Sequence, residues 1–248
     1  MSVFGFGIPC PKGAFAHGHD LSILIINKKS MVLNKTQITQ HIKDKDIIFE
    51  PALDGFQVQP NSVDLRVGWN FYIPETWKYT DAGRVAIQAD YLHYEQNKDY
   101  FRLIKLKPGQ YFEILPREFI MISTLEKITL NAGQILATMY PRTSVIRRGL
   151  IIESGLIDVK YQGHLIIPVF NSTDHYLKLY PGERICQLVF HTLSEGLSEE
   201  QALTHGLTKA KYMGSTPHNL EARSDSKQEI DFILEGKLDE LKKKFKIL

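Results

Sequence analysis

Residues 57–193 form a succession of short β-prone runs separated by turn residues, and this rhythm restricts the fold more than any other feature of the chain. The runs at 71–73, 100–106, 111–115, 119–123, 135–139, 164–170 and 184–191 are rich in β-branched and aromatic residues. Pro108-Gly109, Asn131-Ala132-Gly133 and Pro181-Gly182 supply turn chemistry between them. Short strands at regular spacing predict an all-β barrel or sandwich with short flanking helices. No alternation of strand and helix runs through the segment, which disfavours a Rossmann-type sheet.

The flanks have a different character. Residues 1–30 read as an extension, because Gly5, Gly7, Pro9, Pro11, Gly13 and Gly18 break any helical or strand period. Asn34 is a candidate N-cap for a short helix that puts Ile38, His41 and Ile42 on one face, and residues 47–49 read as a strand. Residues 198–203 read as a short helix and 209–225 as a polar loop. Ile230, Ile233, Leu234, Leu238, Leu241 and Phe245 recur near helical spacing and predict one amphipathic helix over 229–245. The expected organisation is an extension at 1–30, a β domain with a C-terminal lid at 31–224, and an amphipathic helix at 225–248.

Bulk properties narrow the functional classes. The 248 residues carry 30 basic and 28 acidic side chains, a net charge of +2 that calls for no nucleic-acid or anionic-membrane partner. The run Lys242-Lys243-Lys244 reads as a solvated last helical turn, favourable to the helix dipole. The two cysteines, Cys10 and Cys186, share no metal-type spacing, and a reducing cytoplasm suits them. No apolar run approaches the ~18 residues of a membrane span. The N-terminus lacks the form of a signal peptide, since Asp20 precedes the apolar residues 21–26 and Lys28-Lys29 follow them.

Three clusters carry candidate chemistry. In Asn61-Ser62-Val63-Asp64-Leu65-Arg66-Val67-Gly68, Asp64 is either a turn acid at a strand entry or a partner for the water shell of Mg²⁺, a hard ion that prefers oxygen ligands. Arg142, Thr143 and Ser144, joined by Arg147, form a hydroxyl-rich turn with a guanidinium fork suited to phosphate oxygens; Arg148 reads as surface charge. Asp158 follows Gly155-Leu156-Ile157, where partial desolvation suits a general base, although an ordinary turn aspartate fits as well. Tyr161 is a sugar-stacking ring or a barrel aromatic, and Gln187 is a phosphate contact or a solvent-facing strand residue. Tyr212 with Gly214, Ser215 and Thr216 has the composition of a mobile lid. No phosphate-binding Gly-x-x-x-x-Gly-Lys loop, zinc-deaminase signature or Gly-x-Ser-x-Gly elbow is present.

In this order, from about residue 31 to about residue 223, the clusters resemble the dUTPase and dCTP deaminase superfamily. The stretch from Leu33 through Ile47-Ile48-Phe49-Glu50-Pro51 to Gly68 is similar to the deaminase branch. Residues 155–163 and 181–190, and the closing Gly214-Ser215-Thr216, are similar to dUTPases, including archaeal-type ones built on a deaminase-like chain. Deaminases of the family carry a glutamate shortly before the Phe170-Asn171 pair, and this chain has Pro168 there. Thr143 stands where serine is usual, and the span between Arg142 and Asp158 is shorter than in common trimeric dUTPases.

The resemblance implies a β-clip, or distorted β-barrel, a homotrimer with sites between subunits, and Mg²⁺. With Pro168 in place of the acid, the expected function is dUTP hydrolysis to dUMP and pyrophosphate by a dUTP diphosphatase. Asp158 would be the general base for water attack on the α-phosphorus. Arg142, Thr143, Ser144, Arg147 and Gln187 would hold phosphates, and Asp64 would hold Mg²⁺ through water. Tyr161, Ser154, Gly155 and Tyr212 would meet sugar and base. A dCTP deaminase, alone or combined with hydrolysis, and a non-catalytic nucleotide-binding relative are the alternatives.

Overall fold

Alternation of apolar and polar residues builds the central strands. In β7 (Phe119–Leu130) Ile120, Ile122, Ile128 and Leu130 are buried, and in β13 (Arg184–Thr192) Cys186, Leu188 and Phe190 are. The computed structural model describes residues 31–87, 100–209, 214–217 and 225–247. The 1–30 extension and Tyr212 lie outside the described residues.

Ahead of β7 the chain forms β1 (Ile47–Glu50), β2 (Val63–Pro74), the exposed hairpin β3 (Trp77–Thr80) and β4 (Gly83–Ala86), β5 (Phe101–Lys105) and β6 (Phe112–Ile114). Between β7 and β13 come β8 (Ile135–Pro141), β9 (Leu150–Ile152), β10 (Gly155–Ile157), β11 (Gln162–Asn171) and β12 (Leu177–Leu179). A two-residue pair, β14 (Thr204–His205) and β15 (Thr208–Lys209), follows. The helices are α1 (Lys35–Lys43), α2 (Thr143–Ile146), α3 (Glu199–Leu203), α4 (Lys227–Leu234) and α5 (Leu238–Lys244).

The main sheet is antiparallel, in the order β10-β8-β13-β2-β7-β11-β9, with β1 added to β7 and β5 added to β2. Its pairings slip at β2, β11 and β13, between Val67 and Phe71, His164 and Ile166, and Arg184 and Cys186. Such irregularities bend strands and increase twist, so the sheet curls around its own core. The fold is therefore all-β with short helices, as expected. Phe71, stacked on Phe112 with centroids 4.6 Å apart, and Phe190, edge-on to Phe49, anchor that core. Gly68 sits where β2 crosses β7, and a Cβ there would lie 2.6 Å from Ser123 Oγ and 2.7 Å from the Thr124 carbonyl oxygen.

The predicted α1 forms with Asn34 as its N-cap. Asn34 Oδ1 accepts from the Gln37 N–H, and Gln37 Oε1 accepts from the Asn34 N–H, each at 3.0 Å. Ser198 caps α3 in the same reciprocal way. The single helix expected over 229–245 is instead two, α4 and α5. Gly236, at φ 70°, takes the left-handed conformation that terminates α4, and the Phe232 and Phe245 rings meet edge-on across the break.

Candidate active site

Three cavities hold most of the candidate residues. The first, about 360 Å³, is bounded by the loop before β2, the turn that opens α2, and β13. Asn61, Ser62, Asp64, Arg142, Thr143, Ser144 and Gln187 line it, so five residues expected at the phosphates and the metal do converge. Strand register explains why. Gln187 pairs with Asp64 on one side and with Tyr140 on the other, two residues before Arg142.

Asp64 is 1 % exposed. Its Oδ2 accepts from Arg142 Nε and from Arg184 Nη1, each at 3.0 Å. Burial pushes the Asp64 carboxyl above the usual range, and the two guanidinium groups pull it back. Arg142 also donates to the Arg184 carbonyl oxygen at 3.1 Å, and Arg184 to the Phe56 carbonyl oxygen at 2.7 Å. The carboxylate thus fixes two guanidinium groups at the cavity wall. Arg184 was not singled out in the sequence, because its partner lies 120 positions away. Among the described residues no group of three or more His, Cys, Asp or Glu side chains could hold a metal, and the Asp64 oxygen nearest the arginines is already engaged. Arg147, exposed at the end of α2, lines none of the three cavities. Arg148 instead binds Glu183 and the Lys178 carbonyl oxygen, stitching loops together.

The second cavity, about 310 Å³, is mostly apolar. Ser154, Gly155, Tyr161 and Ser215 line it, together with Met121, Glu153, His164 and Pro168. It adjoins the first through β8, since Met139 pairs with Gly155 on one side and Leu188 on the other. Tyr161 is largely buried, and its hydroxyl donates to the His164 carbonyl oxygen at 3.0 Å. Burial pushes the phenol up to about 12, against a smaller opposing effect of Ser215. The ring is therefore both a barrel aromatic and a cavity wall.

Residues 214–217, in the segment expected to form a lid, dock beside this cavity on their own chain. Gly214 N–H donates to the Gln162 carbonyl oxygen at 2.7 Å, and the Ser215 carbonyl oxygen accepts from His164 N–H at 2.9 Å. Pro217 anchors the segment, its carbonyl oxygen accepting from Asn70 Nδ2 and Tyr72 Oη. Gly163 makes this approach possible, because a Cβ there would lie 2.9 Å from Ser215 N. Thr216 is exposed.

Asp158 lines a third cavity, about 770 Å³, with His205 and residues of α4 and α5. Its Oδ2 lies 3.4 Å from His205 Nε2. The expected base is thus half-exposed beside the C-terminal helices, apart from the phosphate and base candidates in the walls of this one chain. Among the described residues no helix is long and apolar enough to cross a membrane.

A family model described as dCTP deaminase-like matches residues 32–193. A protein of Persephonella marina named "dCTP deaminase, dUMP-forming" is 36% identical over 169 residues, 66% of this chain and 86% of its own length. One of the same name from Methanosphaera stadtmanae is 30% identical over 211 residues, 83% of this chain and 99% of its own. The crystal structure of 2'-deoxycytidine 5'-triphosphate deaminase from Agrobacterium tumefaciens superposes with a TM-score of 0.50 at 20% identity, over 65% of this chain and 48% of that one, a likeness of fold alone. These names support an enzyme of nucleotide metabolism. They overturn the expectation of a dUTP diphosphatase that only hydrolyses dUTP, since relatives at 27–36% identity are named for dCTP deamination with dUMP formation. That expectation rested on Pro168 together with the dUTPase-like residues 155–163, 181–190 and 214–216, short stretches weighed against likeness along most of the chain.

Proposed function

The chain belongs to the dCTP deaminase-like family, and on that premise we propose that it converts dCTP to dUMP, releasing ammonia and pyrophosphate. Two waters are consumed. One replaces the amino group at C4 of the base, and the other cleaves the bond between the α- and β-phosphates. What supports the reading is the convergence of Arg142, Thr143, Ser144 and Gln187 on one cavity, beside a mostly apolar cavity lined by Tyr161, Ser154 and Gly155.

In this reading the phosphates lie against Arg142, whose guanidinium is held by Asp64, while Thr143, Ser144 and Gln187 complete the cradle. Arg147, exposed just past α2, would join them at the phosphates. The deoxyribose packs on Tyr161, and backbone groups at Ser154 and Gly155 meet the base edge. Asp158 takes the proton of the water that attacks the α-phosphorus, a role that typically contributes roughly 10²–10⁴-fold. The triphosphate would carry Mg²⁺ with its own waters, which would neutralise phosphate charge. Lid residues 214–216, with Tyr212, cover the bound nucleotide.

Because Asp158 faces a different cavity from the phosphate cradle, the complete site needs residues from neighbouring subunits, and we take the assembly to be a homotrimer. Ile146, Ile151 and Leu156 are each more than half exposed on α2, β9 and β10 and suit such an interface. The cysteine usage fits a reducing cytoplasm.

Incubation of the protein with dCTP and Mg²⁺, scored for ammonia, pyrophosphate and dUMP, tests the proposal. Equal amounts of all three are expected, and dCTP recovered intact contradicts it. One observation favours a second reading, a relative that binds the nucleotide without turning it over: position 168, facing the apolar cavity, is a proline with no proton to exchange. Calorimetric binding of dCTP with no product of either kind would select that reading.

A further inference from the structure

Deamination at C4 needs a group that moves protons between the attacking water, the ring nitrogen and the leaving amine, and a carboxylate in the apolar cavity has that capacity. Among the described residues lining it, Glu153 is the sole carboxylate. It follows directly on β9, whose register against β11 runs from Asn171 opposite Leu150 to Val169 opposite Ile152. One step beyond the Ile152–Val169 pair, Glu153 just past β9 and Pro168 of β11 both line the cavity. The Glu153 side chain is exposed and has no hydrogen-bond or ion-pair partner among the described residues. The cavity's other titratable side chains each hold a backbone carbonyl with one polar atom. His164 Nδ1 donates to the Thr124 carbonyl oxygen at 3.2 Å, and the Tyr161 hydroxyl donates to the His164 carbonyl oxygen.

We propose that Glu153 is the acid–base group of deamination, supplying from β9 the carboxylate that β11 lacks at Pro168. This rests on the deaminase reading above. Glu153 takes a proton from water as the water oxygen bonds to C4 of the cytosine ring, and it delivers that proton to N3. It then takes the remaining proton of the new C4 hydroxyl and passes it to the amino group. The C4–N bond breaks, ammonia leaves with the bonding electron pair, and C4 keeps a carbonyl oxygen while N3 keeps its proton. One water is consumed, and no oxidant, reductant or metal is needed.

The experiment compares the full-length protein with its Glu153→Gln variant, measuring ammonia release from dCTP and dCTP affinity by calorimetry. Loss of a positioned acid–base group costs roughly 10²–10⁴-fold, so the variant is expected to bind dCTP within about threefold of the parent and to release ammonia at least ~100-fold more slowly. A parent that releases ammonia and a variant that matches its rate overturn the Glu153 assignment and leave the deaminase reading standing. Loss of dCTP binding together with rate makes Glu153 a binding group, and also overturns the assignment. A parent that binds dCTP but releases no ammonia overturns the deaminase reading, and this assignment with it.

Discussion

At Asp64 two guanidinium groups share one buried carboxylate oxygen, and each depends on it for charge balance. Removing the acid leaves two cations facing each other at the cavity wall. Asp64→Ala is therefore expected to lower unfolding stability by on the order of 3 kcal/mol, read from the urea midpoint. It should also weaken triphosphate binding, because Arg142 loses its orientation. An unchanged midpoint would mean that the arginines find other partners. Tyr161 gives a pH-dependent counterpart. Its folded-state phenol is raised from 10.0 to about 12, so the neutral form is the one the fold favours. Its contribution is complete below pH 10.0 and is lost as pH rises through about 12. The denaturation midpoint should fall over that window in the parent and fall less steeply in Tyr161→Phe. Equal slopes would assign the alkaline loss to other groups.

At the scale of elements, the crossing of β2 over β7 is closed by Gly68. Gly68→Ala would drive a methyl group into Ser123 and Thr124, and a cost of about 1–3 kcal/mol in thermal or urea unfolding is expected. A neutral result would show that the strands separate readily there. Much of this level was legible in the chain itself. Asn34 signalled α1 because capping is a local arrangement, and the β-branched and aromatic runs at 119–123, 164–170 and 184–191 marked β7, β11 and β13. The break at Gly236 escaped because the apolar spacing of residues 230–245 continues through it. The phosphate turn was legible because Arg142, Thr143 and Ser144 are consecutive. Arg184 and Glu153 were not, because their roles depend on which strands lie side by side. Pro168 misdirected the functional expectation for the same reason: Glu153, just past the end of the neighbouring β9, lines the same cavity, a relation that spacing along the chain does not record.

Across the whole molecule, the candidate groups occupy separate cavities of one chain, and assembly is what would unite them. Sedimentation of the full chain is expected to give a particle of three 28.4 kDa copies. A monomer at micromolar concentration would leave Asp158 without a phosphate to act on. The most direct measurement of the central claim is ammonia released from dCTP by the purified protein, followed alongside pyrophosphate. Equal release of the two is the expected result, and pyrophosphate or nothing at all, with no ammonia, would contradict it.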